Sequence, residues 1–342
     1  YIGFMKKLGI ITVPGVHNHP SMLLKTPSTR GGGVYFSLLF IILSLVFVGY
    51  LQNFLSIYLA LLLLSFLSFV DDYQNTHPTS SFKFIENPLL RLVLLVSVVS
   101  IPVISGIQFD VVVNPAQFIN NTNFINLQEY NFLPMVATVI WIVWFINVLS
   151  WSNGVDGQFS GIVGISFIFI SLLALRFTNL TLFNEQLAIL AAIGAGISFG
   201  TVKYMWYPSK IMWGFGATSA GLVLALFAFL TQTKILTSIL IILIPFLDAI
   251  VTLIRRIIQK KNPLKGDRGH LHHILMSKGW SVSKIALFYW ITTAIFGLIG
   301  LFTADRYTIQ TGLAIAGFVA FIIILANVNF IKSKDEGYIP RE

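Results

Sequence analysis

Residues 54–70 read FLSIYLALLLLSFLSFV, an apolar stretch that ends directly at two carboxylates, Asp71 and Asp72. A helix of roughly 20 apolar residues spans the hydrocarbon core of a bilayer. Similar runs recur along the chain, near residues 34–51, 88–107, 133–150, 159–177, 184–202, 217–232, 236–254, 285–304 and 308–331. The sequence therefore predicts an all-α fold, a polytopic transmembrane helical bundle of about ten spans. Because the chain begins at Tyr1 rather than Met, we expect an eleventh span upstream.

The composition excludes an ordinary soluble protein. Hydrophobic residues make up 56% of the 342 residues and charged residues 10%, whereas soluble domains are about 25% charged. High hydrophobicity also excludes a disordered chain. The absence of Cys excludes disulfides, a thiolate nucleophile and Cys-ligated metal centres. No linker separates a second domain, so residues 1–342 are predicted to form one integral membrane domain.

The basic residues predict the orientation. If the segment before Val34 is cytoplasmic and the spans alternate, with Arg91 counted at the cytoplasmic end of its helix, only Arg176, Lys234 and Arg306 of the 22 Lys and Arg residues lie outside. Cytoplasmic loops of membrane proteins carry such an excess. The net charge of +9 is thus explained by topology, and no nucleic-acid partner is expected. The cytoplasmic segments are then 1–33, 71–87, 151–158, 203–216, 255–284 and 332–342.

The chemically capable residues concentrate in these same loops. Asp71 and Asp72 come first, and two carboxylates at a helix C-terminus are unfavourable because the helix dipole is negative there. A metal ion, Lys83 or basic residues from another loop would compensate them. The alternative is a solvated helix end.

A second cluster occupies residues 147–158, NVLSWSNGVDGQ. Asn147, Asn153 and Asp156 offer amide and carboxylate groups for a nucleotide or a cation. Two glycines bracket the acid and let the backbone approach a ligand closely. The alternative is a plain Asn-Gly turn between helices.

A third cluster, GDRGHLHH at residues 266–273, lies in the longest basic loop. In a helix, His270 and His273 would share a face while His272 points elsewhere. Three His could hold zinc, but the cationic surroundings favour a phosphate site built from Arg268 and the imidazoles. Asp248 lies within an apolar run and is expected to pair with Arg255 or Arg256, or to face a cavity.

A fourth stretch, KTPSTRGGG at residues 25–33, combines two cations, hydroxyls and glycines. It predicts either a phosphate-binding turn or a flexible loop that leads into a helix.

Together these segments resemble the polyprenyl-phosphate N-acetylhexosamine-1-phosphate transferase family (glycosyl transferase family 4). The resemblance is carried by Lys25–Gly33, Asp71-Asp72, Asn147–Gly157, Tyr207–Met212 and Arg268–His273, and it covers most of the chain. The Arg-x-His-x-His-His form resembles the branch that uses UDP-N-acetylglucosamine rather than the branch that uses UDP-MurNAc-pentapeptide.

The resemblance implies transfer of a HexNAc-1-phosphate, in particular GlcNAc-1-phosphate, from a UDP-sugar to polyprenyl (undecaprenyl) phosphate, with release of UMP. It implies Mg²⁺ or Mn²⁺ as cofactor and the cytoplasmic face of a bacterial inner membrane, in cell-wall or surface polysaccharide synthesis. A homodimer is an open expectation. The implied catalytic residues are Asp71, Asp72, Asp156, His270, His272 and His273. The implied substrate-binding residues are Lys25, Asn147, Asn153, Lys210 and Arg268, and the implied metal ligands are Asp72 and Asp156.

This sequence departs from the family pattern at three positions, of which those of Ser150 and Phe215 are metal-binding in the family. Ser150 stands where the family has a second Asn, Asn153 where it has a first Asp, and Phe215 where it has an Asp. Mg²⁺ prefers oxygen ligands, which Phe cannot supply. Two alternatives therefore remain: a homologue that binds polyprenyl phosphate without transfer, and a transporter of lipid-linked substrate, for which only Asp248 offers a charge within a span.

Overall fold

The computed structural model describes residues 1–14, 16, 26–109, 111–113, 124–176, 180–231, 235–262, 268–303 and 308–335. Its helices are α1 (Ile2–Lys7), α2 (Gly32–Phe47), α3 (Leu55–Thr76), α4 (Pro88–Ile104), α5 (Leu133–Trp151), α6 (Gln158–Ala174), α7 (Leu182–Met205), α8 (Ala217–Leu230), α9 (Ile235–Ile241), α10 (Leu243–Ile258), α11 (Leu271–Ser277), α12 (Val282–Phe302) and α13 (Thr308–Asp335). The described part also contains two short antiparallel ribbons, β1 (Ile11–Thr12) with β2 (Ser28–Thr29) and β3 (Val111–Val113) with β4 (Phe124–Asn126), and short 3-10 helices.

Five helices in the described part are long and apolar enough to cross a membrane: Leu55–Thr76, Leu133–Trp151, Leu182–Met205, Val282–Phe302 and Gln310–Val328. Shorter apolar helices accompany them at Gly32–Phe47, Pro88–Ile104, Gln158–Ala174 and Gly214–Leu230. Large apolar side chains are exposed on their outer faces, as at Phe47, Ile140, Phe302 and Phe318. Such faces suit lipid contact. The predicted helical membrane bundle is confirmed.

The centre of the bundle is α8, which is buried at every position from Ala217 to Ala228. It packs against α5, where the backbone of Gly221 faces Ile146 with little space for a side chain. The indole Nε1 of Trp141 donates to the carbonyl oxygen of Ala225 at 3.2 Å and joins the two helices. Because α8 starts just after the segment that carries Phe215, its burial fixes that segment at one end of the bundle.

The apolar run at 236–254 is not the single span that the sequence predicts. It divides at Ile242 into α9 and α10. Pro245 explains the break, because it has no N–H to donate to the carbonyl of Ile241 and its ring is excluded from a helix interior. The division places Asp248 in the separate helix α10.

Candidate active site

The acidic pair lies within the last turns of α3 rather than beyond them, because the helix continues to Thr76. Asp71 and Asp72 are buried, with exposures of 3% and 0%. A carboxylate taken out of water near the negative end of a helix dipole needs a compensating cation.

Arg91, near the start of α4, is the partner of Asp71. Its Nη2 lies 2.5 Å from Oδ1 of Asp71, and Oδ2 accepts a hydrogen bond from Nδ2 of Asn75 at 2.8 Å. The guanidinium Nε also donates to the carbonyl oxygen of Ile85. Sequence reasoning treated Arg91 only as a topology-setting charge. The signal that could have revealed this pairing is the position of Arg91, a single cation near the start of the apolar helix that follows the acidic pair.

Arg30 is the partner of Asp72. Its Nη1 lies 3.5 Å from Oδ1 of Asp72, and its Nε donates to Oγ1 of Thr12 at 2.7 Å. Within the described residues, neither carboxylate oxygen of Asp72 makes a hydrogen bond. The cations beside the acidic pair are therefore arginines from two other segments rather than Lys83, which is exposed.

The loop before α8 covers the same pair. Gly214 adopts a left-handed conformation, with φ of 61°, and a Cβ there would lie 2.2 Å from Oδ1 of Asp72. Only glycine combines this φ with so close an approach. The next residue, Phe215, lies with its ring centroid 5.6 Å from Cζ of Arg91, a cation–π contact. Phe215 thus contacts the cation of the acidic pair.

A backbone ladder holds Arg30 in place. The N–H of Thr29 donates to the carbonyl of Lys210 at 3.2 Å, and the N–H of Met212 donates to the carbonyl of Thr29 at 2.8 Å. Farther along, Gly33 and Gly216 approach so closely that a Cβ on Gly33 would lie 2.0 Å from Cα of Gly216. The segments at 26–33 and 207–216, distant in sequence, therefore form one structural unit.

Asp156 is joined to this unit by a serine pair. Its Oδ2 accepts the backbone N–H of Ser209 at 2.9 Å, and Oγ of Ser209 lies 3.3 Å from Oγ of Ser28. Burial raises the pKa of Asp156, and the hydrogen bonds from Ser209 oppose that rise. Ser209 lies within the Tyr207–Met212 segment that carries the resemblance, but the sequence assigned it no role of its own.

The remaining polar residues of the second cluster make local contacts. Nδ2 of Asn147 donates to the carbonyl of Val143 at 2.7 Å, and the N–H of Asn153 donates to the carbonyl of Ser150 at 3.2 Å. Within the described residues, the buried Oγ of Ser150 has no hydrogen-bond partner. Gly157 is left-handed, with φ of 80°, and its carbonyl accepts from Nε1 of Trp290 at 3.0 Å.

The histidine cluster departs from the predicted helical spacing. Helix α11 starts at Leu271, so His270 is its extended N-cap residue and the i, i+3 relation to His273 does not apply. His270 instead stacks on His272, with ring centroids 5.7 Å apart and planes 4° from parallel. His273 contacts His272 in turn, at 4.3 Å between centroids. All three are buried.

Asp248 binds His270. Its Oδ2 lies 2.9 Å from Nδ1 of His270, and its Oδ1 accepts the N–H of Leu271 at 2.9 Å. On the other side of the ring, Nη2 of Arg256 lies 3.4 Å from Nε2 of His270. Since Arg can only donate, this arrangement assigns the proton to Nδ1 and leaves Nε2 as an acceptor. The described contacts of Asp248 are thus with His270 and the start of α11, whereas the sequence predicts Arg255 or Arg256.

His272 connects this cluster to the second one. A Cβ on Gly154 would lie 2.1 Å from Nε2 of His272, so the ring rests directly on the turn that precedes Asp156. Within the described residues, the buried Nδ1 of His272 has no hydrogen-bond partner. Burial, followed by the neighbouring rings of His273 and His270, holds the pKa of His272 well below its usual range. His272 is therefore neutral at physiological pH.

Two of the predicted substrate-binding cations are exposed. Arg268 and Lys210 lie at the surface next to buried residues, Gly269 and Ser209. Lys25 falls outside the described residues. The contacts of the site connect the acidic pair, Asp156 and the three histidines in one series, and these contacts do not include Asn147, Asn153 or Arg268.

The donor set does not fit a divalent cation. Among the described residues, no group of three or more His, Asp or Glu side chains is placed to hold a metal ion. Of the two predicted ligands, Asp72 faces Arg30 and Asp156 accepts the Ser209 amide. Phe215 brings an apolar ring where the family pattern has a carboxylate. Mg²⁺ selects oxygen ligands and near-octahedral geometry, which these residues do not supply.

Fold and site together define a helical integral membrane protein with buried carboxylates, arginines and histidines gathered at one end. The model of glycosyl transferase family 4 matches residues 54–232. The chain belongs to this family.

The names of similar proteins agree with this family. A probable undecaprenyl-phosphate N-acetylglucosaminyl 1-phosphate transferase of Bacillus subtilis is 28% identical over 58% of this chain and 54% of its own length. The phospho-N-acetylmuramoyl-pentapeptide-transferase of Carboxydothermus hydrogenoformans is 27% identical over 81% of this chain and 85% of its own length. That of Prochlorococcus marinus strain MIT 9215 is 29% identical over 85% of this chain and 81% of its own length. The predicted resemblance and the predicted enzyme class, a phosphotransferase, are confirmed.

Proposed function

We propose that this protein transfers a HexNAc-1-phosphate, in particular GlcNAc-1-phosphate, from a UDP-sugar to polyprenyl phosphate. An oxygen of the lipid phosphate attacks the β-phosphorus of the UDP-sugar, the bond from that phosphorus to the bridging oxygen breaks, and UMP leaves. The lipid retains a diphosphate-linked sugar. The observation that carries the proposal is the convergence of Asp71-Asp72, Asp156 and His270–His273 at one end of a bundle of this family.

The reaction depends on positioning and on neutralising phosphate charge. We assign the lipid phosphate to the acidic-pair end, where Arg30 and Arg91 supply positive charge and Asp72 has oxygens able to accept a proton. Asn147, Asn153 and Asp156 face the nucleotide in this proposal. His272, His273 and Arg268 contact the diphosphate or sugar. His270 has protein partners on both ring nitrogens, so its proposed role is to position His272.

The setting follows from the same proposal. Residues 1–342 form one domain in a bacterial inner membrane, and the active site faces the cytoplasm, where nucleotide sugars are made. The excess of Lys and Arg in the loops that carry the site supports this orientation. The product would serve cell-wall or surface polysaccharide synthesis. A homodimer stays a prediction. The described donor set does not fit the expected Mg²⁺ or Mn²⁺, and no step above passes through a metal.

The test is UMP release by the purified protein, supplied with polyprenyl phosphate and a panel of UDP-N-acetylhexosamines. We expect release that requires the lipid and is abolished in Asp72→Asn. Asp72→Asn keeps the shape of the side chain and removes its charge. Release that persists unchanged in Asp72→Asn would remove that residue from the mechanism, and no release with any sugar would contradict the transferase.

A second candidate is a homologue that binds polyprenyl phosphate without transferring to it. The observation that favours it is the pairing of both Asp71 and Asp72 with arginines beside Phe215. Saturable binding of the lipid phosphate without UMP release would support this candidate. The transporter hypothesis is not favoured, because Asp248, the charge on which it depended, belongs to the histidine cluster.

A further inference from the structure

We propose that Arg30 and Arg91 are the phosphate-neutralising cations of this site and take the place of a divalent metal ion. This inference deepens the proposed function, since it concerns the same phosphate-binding end of the bundle. It rests on three observations: the ion pairs at Asp71 and Asp72, the ring of Phe215 beside Arg91, and the donors that both guanidinium groups retain.

The ion pairs occupy the carboxylates that a metal would need. Oδ1 of Asp71 forms the ion pair with Nη2 of Arg91, and its Oδ2 accepts a hydrogen bond from Nδ2 of Asn75. Arg30 stands 3.5 Å from Asp72, and its fixed charge opposes a dication at the same oxygens. Asp71 is thus paired with one cation, and Arg30 faces Asp72.

Phe215 fits an arginine centre and not a metal centre. Its ring lies under the guanidinium of Arg91, a contact that needs an uncharged aromatic side chain. A carboxylate at position 215 would instead compete with Asp71 for Arg91. The departure from the family pattern and the presence of Arg91 are therefore parts of one arrangement.

Both arginines retain donors toward an incoming anion. A guanidinium has five N–H donors. Within the described residues, Arg91 uses Nε and Nη2 while Arg30 uses Nε and Nη1, so one terminal nitrogen of each makes no hydrogen bond. Their side chains are 30% and 16% exposed, unlike the enclosed aspartates. Arginine binds phosphate through two parallel hydrogen bonds, which suits the headgroup of a lipid phosphate.

The first test is binding of Mn²⁺ to the purified full chain, followed by electron paramagnetic resonance. We expect no saturable site in the wild type or in Phe215→Leu. A saturable site in the wild type that disappears in Asp72→Asn would overturn the proposal. This readout needs no turnover, so it stands whether or not the protein is a transferase.

The second test is binding of polyprenyl phosphate in the presence of EDTA, measured by calorimetry. Arg30→Gln and Arg91→Gln should each weaken binding by roughly tenfold or more, the loss typical of one charge-assisted hydrogen bond. Lys83→Gln removes a nearby exposed cation and should change nothing. Arg91→Gln leaves Asp71 without its cation and could unfold the protein. The double variant Asp71→Asn/Arg91→Gln removes that unpaired charge, and it should bind polyprenyl phosphate as weakly as Arg91→Gln does.

The two proposals fail in different ways. Lipid binding that requires Mg²⁺, or that survives both arginine substitutions, would overturn the arginine centre. Arginine-dependent, EDTA-resistant binding without UMP release would keep the arginine centre and contradict the transferase. UMP release that persists in EDTA would support both.

Discussion

Oδ2 of Asp248, in α10, lies 2.9 Å from Nδ1 of His270, the residue that precedes α11. On the opposite side of the imidazole ring, Nε2 of His270 contacts Nη2 of Arg256. Together these contacts fix the ring in one tautomer. The ring of His270 stacks on that of His272 and so positions His272, which rests against the turn at Gly154.

The tautomer makes a specific prediction for Asp248→Asn. The amide can accept from Leu271 only if its NH₂ faces Nδ1 of His270, which moves the histidine proton to Nε2 and sets it against Arg256. We expect UMP release to fall by about tenfold to a hundredfold, as for a lost hydrogen bond to a charged group. Nitrogen NMR of labelled histidine should show the changed tautomer. Wild-type activity with an unchanged tautomer would refute this account.

Gly154→Ala should displace His272. The added Cβ would lie 2.1 Å from Nε2 of that ring, closer than any real contact. We predict a loss of UMP release with the protein still inserted and folded. Gly200→Ala is the matched control, because a Cβ there meets nothing within 4 Å and the position lies within α7. The control should keep full activity and gain up to about 1 kcal/mol from helix propensity. Equal activities in both variants would show that His272 tolerates displacement.

His272 should make stability depend on pH on the acid side. Burial lowers the pKa of His272 in the folded protein, whereas in the unfolded chain it takes up a proton below about pH 6.5. The unfolded state then binds more protons, so stability falls as the pH drops below about 6.5. We expect the melting temperature of the wild type to fall more steeply between about pH 6.5 and 5 than that of His272→Gln. Parallel curves would assign the acid sensitivity to other groups.

Asp71 and Arg91 should behave as a coupled pair in thermal unfolding. Arg91→Gln leaves a buried carboxylate without its cation, a change that costs about 3–5 kcal/mol in buried pairs. Asp71→Asn/Arg91→Gln removes both charges and should melt at a higher temperature than Arg91→Gln alone. Additive effects of the two substitutions would indicate that the ion pair contributes no coupling energy.

Much of the fold could be predicted from sequence, because hydropathy along the chain directly reflects the bilayer as solvent. The distribution of Lys and Arg also predicted that the loops with the candidate site residues lie on one side of the membrane. In the structure, the acidic pair, Asp156 and the three histidines lie at one end of the bundle. The break at Ile242 was missed, since the apolar pattern continues across Pro245 without a polar residue.

The site's internal pairings could not be predicted in the same way. Arg91 lies in α4, the helix that follows the one carrying Asp71, and only tertiary packing decides that it faces Asp71 rather than the lipid headgroups. The stack of His270 on His272 depends on where α11 begins, and a shift of one residue would change which rings share a face. Asp248 illustrates the same limit, because its partner lies beyond the basic residues nearest in sequence.

The most direct test of the proposed transfer follows the phosphorus atoms of the UDP-sugar. Two preparations of UDP-N-acetylglucosamine, labelled with ³²P at the α- or the β-phosphate, are incubated separately with the protein and polyprenyl phosphate. We predict that the β-label moves into the lipid phase while the α-label remains in water as UMP. Retention of both labels in water, with the sugar alone transferred or no transfer at all, would contradict the account.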